Sequence, residues 1–116
     1  MTTVYTTLII DFVNPDHAKP GRHSAEKWAF EWDEAKRIIN RHKHGIDFDD
    51  VVLALAGPRL ETLTVTNGEH RILATCPESG RLITAVYTMR GNVCRIISAR
   101  VARKNERREY HTHYYR

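Results

Sequence analysis

A chain of 116 residues, 41% hydrophobic and 28% charged, has the profile of one globular domain with room for a real core. No run approaches the roughly 18 to 20 apolar residues of a membrane span, and residues 8–10 are too short for a secretory signal, so a cytoplasmic protein is expected. The net charge of +4 is unevenly spread: residues 1–87 carry ten Lys/Arg and twelve Asp/Glu, residues 88–116 eight and two. A basic last quarter suits a polyanion such as nucleic acid, because Lys and Arg displace counterions from phosphates; a solvated helix face is the rival explanation.

Residues 3–13, TVYTTLIIDFV, are β-branched and aromatic enough for a strand, and NPDHAKPGRHS after them carries the loop punctuation Pro15, Pro20 and Gly21. Residues 1–27 thus read as an N-terminal appendage of strand plus loop, and residues 28–116 as the domain proper. FEW at 30–32 suits a short strand. Asp33 is a good N-cap for a helix whose apolar stripe is Ala35, Ile38, Ile39 and the ring of His42, and Gly45 ends it. A second helix starts at Asp47, places Phe48, Val51, Val52 and Leu55 at i, i+3, i+4, i+7, and stops at Gly57 and Pro58.

From Leu60 the period falls to two. LETLTVT, the turn Asn67-Gly68 and EHRILATC form a hairpin signal, since Asn and Gly tolerate positive φ cheaply. RLITAVYT, apolar on both faces, suits a central strand, and VCRIISA follows the turn at Arg90-Gly91-Asn92. A last helix can gather Ala102, Glu106, Tyr110, His113 and Tyr114 on one side. The order is two helices, an antiparallel sheet of about four strands, then a helix: an α+β fold. Cys76 and Cys94 lie in strand-like segments without metal spacing and read as small core residues; the histidines show no metal-binding spacing either.

The string FEWDEAKRIINRHKHGIDFDDVVLALAGP, the pair Glu69 and Arg71, and YTMRGNVCRIISARVARKNERREY together resemble the BrnT toxins of type II toxin-antitoxin systems, over about residues 30–110. The family pattern begins close to F-E-W-D, so residues 1–27 are extra to it. The resemblance implies a RelE-like fold, metal-independent endoribonuclease activity that arrests translation, no cofactor, and RNA as substrate. It also implies neutralisation by a ribbon-helix-helix antitoxin of the BrnA kind, with operator DNA bound only through the complex of the two.

Metal-free RNA cleavage needs a base for the 2′-OH proton, a cation for the phosphorane and a proton for the 5′-O leaving group, giving 2′,3′-cyclic phosphate and 5′-OH ends. Arg71 and Arg95, inside strands, are the leading phosphate clamps, because a rigid backbone can aim the guanidinium fork. Glu69 shares a strand face with Arg71 and can orient it or act as base; an ordinary cross-strand ion pair is the alternative. His44 suits acid or base chemistry and equally suits capping of its helix, with Lys43 as a neighbouring charge for RNA. Arg100, Arg103 and Arg107 can follow an RNA backbone while Tyr110 stacks on a base or anchors its helix. Arg95 and Arg100, five apart, face one side only if a bulge rotates the strand. A non-catalytic antitoxin-binding co-repressor, or a degenerate relative, is the competing functional reading.

Overall fold

The computed structural model describes residues 3–12 and 24–115, with side chains from Trp28 onward. Its elements are β1 (Thr3–Phe12), β2 (Ser24–Asp33), α1 (Glu34–His44), α2 (Phe48–Ala54), β3 (Leu60–Thr66), β4 (Glu69–Glu78), β5 (Arg81–Arg90), β6 (Val93–Val101) and α3 (Lys104–Tyr114). The loop expected after the first strand falls almost wholly outside the described residues.

The fold is α+β, and β3 to β6 form the antiparallel meander that the alternating segments suggest. The sheet as a whole departs from the expectation of about four antiparallel strands. It has six, in the order β1-β2-β6-β5-β4-β3, and it is mixed, because β2 lies parallel to β6. The short FEW strand is ten residues long, and β1 pairs with it antiparallel along its whole length. Parallel pairing between segments more than sixty residues apart leaves no local trace, which is why the alternation at 60–101 revealed only the meander.

One face of the sheet carries the main core. Trp28, Phe30, Trp32, Ile83, Ala85, Tyr87, Cys94 and Ile96 close on Ile46, Phe48, Val51, Val52 and Leu55. Each large side chain buried there contributes roughly 1.5–3 kcal/mol. Both cysteines are buried and unpaired, and burial pushes the Cys76 thiol up to about 12, so they are inert packing. The other face is covered at one end by α3, through Ala102 and Tyr110.

The helix ends follow the caps. The Asp33 carboxylate accepts the Ala35 and Lys36 N–H groups, Gly45 turns the chain at φ 68°, and Asp47 starts α2 by accepting the Asp49 N–H. Arg37 ties the two helices together by donating to both Glu34 and Asp47, and these carboxylates hold its guanidinium pKa above the ordinary value.

The inward face of α1 is a correction. Ala35, Ile38, Ile39 and His42 are all exposed, and the buried residue is Asn40. Its amide donates to the Ala99 and Ile46 carbonyls at 2.9 and 3.1 Å, and its oxygen accepts the Ala99 N–H at 3.1 Å. A polar residue replaces apolar packing because β6 offers unpaired backbone there, next to a bulge. Val86 pairs with Ser98 and Tyr87 with Ile96, so Ile97 is the extra residue.

Candidate functional site

The bulge sets which side chains share the second face. Past it, Arg95 pairs with Thr88 and Arg100 with Thr84, and Thr84 and Thr88 are four residues apart on one strand, so both arginines project to the side opposite the main core. The register continues across the sheet. Glu31 of β2 pairs with Arg95, Thr64 of β3 pairs with Arg71, and one step beyond the Ile72↔Tyr87 pair Arg71 stands beside Thr88. Glu31, Arg95, Thr88, Arg71 and Thr64 therefore form a row across five strands, with Arg95 and Arg71 two strand spacings apart, roughly 10 Å between backbones.

Each member has a defined setting. Glu31 is buried and lies 3.3 Å from Nη1 of Arg95, an orienting contact that the sequence did not single out. Thr88, also buried, donates its hydroxyl to the His70 carbonyl at 3.0 Å and floors the gap between the arginines. Glu69 lies on the same strand face as Arg71, 3.6 Å from its Nη2, and is exposed. The Nε of Arg71 is buried yet donates to nothing among the described residues. The Arg71 side chain is 27% exposed, so its terminal nitrogens, not the covered Nε, are the donors that an incoming oxyanion can meet.

The remaining candidates are dispersed. Arg100 sits on the row's face but roughly 13 Å along it, four strand residues away. Its two terminal nitrogens donate to Glu106 at 2.7 and 3.0 Å, beneath the start of α3. That carboxylate also accepts the Arg103 N–H and the Thr84 hydroxyl, and the Arg100 bonds above all pull its pKa down to about 2. Arg103 is exposed, and Arg107 donates to the Ala102 carbonyl. Tyr110 is interior, 2% exposed and stacked 4.6 Å from Tyr114, so it anchors α3 and is closed to a base. Lys43 and His44 end α1, and Gly45 next to them accepts from Arg81 at the start of β5, seven strand residues or roughly 23 Å along from Thr88 of the row.

A second buried network lies on the core side. Tyr87 donates to Glu61, burial and that carboxylate raise the phenol pKa, and Arg59 lies 3.5 Å from Glu61 and 5.8 Å from the Trp28 ring. Nothing in the sequence signals it, since Arg59 follows Gly57 and Pro58 like an ordinary loop residue. Among the described residues no group of three or more His, Cys, Asp or Glu is placed to hold a metal ion, and no helix is long and apolar enough to cross a membrane.

No curated protein sequence matches the chain. Residues 32–106, more than half of it, match the family described as the ribonuclease toxin, BrnT, of type II toxin-antitoxin systems. That span takes in α1 through the first turn of α3 and with them both arginines of the row. A match over that much of the chain shows the family, and the chain belongs to the BrnT family of type II ribonuclease toxins.

Proposed function

We propose that the chain is an endoribonuclease toxin that cleaves RNA at the Arg71–Arg95 row. The observation that carries the reading is the pair of partly exposed guanidiniums, Arg71 at 27% and Arg95 at 29%, that flank Thr88 on one sheet face. A phosphodiester seated over Thr88 has its two non-bridging oxygens held by Arg71 and Arg95. Glu69 takes the 2′-OH proton, the 2′-oxygen attacks phosphorus, and the P–O5′ bond breaks. The 5′-oxygen takes a proton from water, leaving 2′,3′-cyclic phosphate and 5′-OH ends. The arginines supply the positive charge that the phosphorane requires, so the chemistry runs without a metal. Glu31 positions Arg95 and makes no contact with RNA.

In this reading the fold is of the RelE-like kind, the substrate is mRNA in the cytoplasm, and cleavage stops translation. A ribbon-helix-helix antitoxin neutralises the toxin, and their complex binds operator DNA. Arg100 and Glu106 hold α3 in place, while Arg103 and Arg107 add attraction for RNA; Lys43 and His44 lie outside the proposed mechanism. The test is expression with mapping of RNA ends. Arg71→Ala and Arg95→Ala are each expected to slow cleavage by roughly 10²–10³-fold with the melting temperature kept, the scale of losing one preorganised oxyanion donor. Undiminished cleavage in both variants overturns the site. A purified wild-type chain that leaves RNA intact but binds its antitoxin favours the co-repressor reading.

A further inference from the structure

The amphipathic stripe of α1 points away from the protein. Asn40 faces the sheet, so Ala35, Ile38, Ile39 and His42 face out, with Ile38 40% and Ile39 62% exposed. Helix propensity gives no reason for two adjacent β-branched residues there, since Ala, Lys or Glu serve a solvated face better. Lys36 and Lys43, three before and four after Ile39, line one flank of the stripe and are exposed, while Arg41 on the other flank lies 3.6 Å from Asp47. Apolar side chains edged by cations match a segment that sets carboxylates beside its own apolar residues. The exposed Leu53 of α2 stands beside Asp49 and Asp50 and has the wrong sign for such a segment.

We propose that the outer face of α1 is the docking surface for the toxin's protein antitoxin, which meets it with an acidic amphipathic segment. The proposal rests on the toxin reading and adds the place of contact. Ile39 and Ile38 supply the apolar anchor; Lys36 and Lys43 select the acidic partner and speed its approach.

The test is the affinity of the purified chain for the purified product of the adjoining reading frame, by calorimetry. Ile39→Glu and the double variant Lys36→Glu, Lys43→Glu are each expected to weaken binding roughly thirtyfold or more, the scale of an interface hot spot. Leu63→Glu, equally exposed but on the far edge strand β3, is expected to bind as the wild type does. Ile39→Glu is also expected to cleave RNA at the wild-type rate and to escape neutralisation in the cell. Wild-type affinity in Ile39→Glu, or no binding by the wild type, overturns the proposal. So does a wild-type dimer that Ile39→Glu splits, because a second copy then occupies the stripe. A wild-type chain that binds as described but cuts no RNA overturns the catalytic reading and leaves the docking surface standing.

Discussion

Glu106 holds more of the structure than any other single carboxylate in the basic tail. It receives both forks of Arg100, the Arg103 N–H and the Thr84 hydroxyl, which joins the end of β6, the middle of β5 and the first turn of α3 at one group. A carboxylate at a helix N-terminus is further favoured by the dipole. Its folded pKa of about 2 lies below the ordinary 4.5, so the unfolded chain binds the proton more readily. The stabilisation is therefore fully present above about pH 4.5 and is lost as pH falls toward 2. In urea titrations across pH 2 to 6, Glu106→Gln is expected to flatten the acid limb of stability; a wild-type slope in the variant would remove Glu106 from that role. The sequence placed Glu106 only on one side of the last helix with Ala102 and Tyr110, because the partner that matters, Arg100, lies outside the helix.

Helix α1 is the element whose placement the sequence misdirected. Hydrophobic periodicity assigns the apolar stripe to the core, yet the sheet beneath α1 presents the backbone of Ala99 beside the Ile97 bulge, and only a side-chain amide satisfies both of its groups. Asn40→Ala leaves the Ala99 N–H and C=O and the Ile46 C=O without that partner. A loss of about 3 kcal/mol in chemical denaturation is expected, at the upper end of the cost of unsatisfied buried groups; a loss below about 1 kcal/mol would mean that water replaces the amide. The caps at Asp33, Gly45 and Asp47, the Asn67-Gly68 turn with φ of 50° and 76°, and the four-residue apolar face of α2 were legible because each depends on neighbours in sequence. The parallel β2–β6 pairing and the contacts of buried Arg59 depend on the whole fold and were not. Of the candidate site, Arg71 with Glu69 followed from strand parity, and Arg95 needed only the bulge that parity itself demanded beside Arg100. Glu31 and Thr88 became visible only with the register.

At the scale of the molecule, the arginine row and the start of basic α3 share one face of the sheet, where RNA is proposed to bind. Steering by residues 88–116 makes RNA association salt-dependent. With an uncleavable 2′-O-methyl oligonucleotide, a plot of log affinity against log salt is expected to flatten by about 0.7 when Arg71 or Arg95 becomes alanine, one phosphate contact on a single strand. An unchanged slope in both would place the phosphates elsewhere. The row also has an order of assembly. Glu31 and Arg95 are neighbours in space but 64 positions apart, and the strands between them in the chain, β3, β4 and β5, are emitted by the ribosome before β6. A nascent chain therefore cannot form the cleft until its sixth strand has emerged, and long-range parallel pairing is slow to close. If the proposed row is the site of cleavage, a ribonuclease made this way has no assembled cleft beside the message that encodes it through most of its own synthesis.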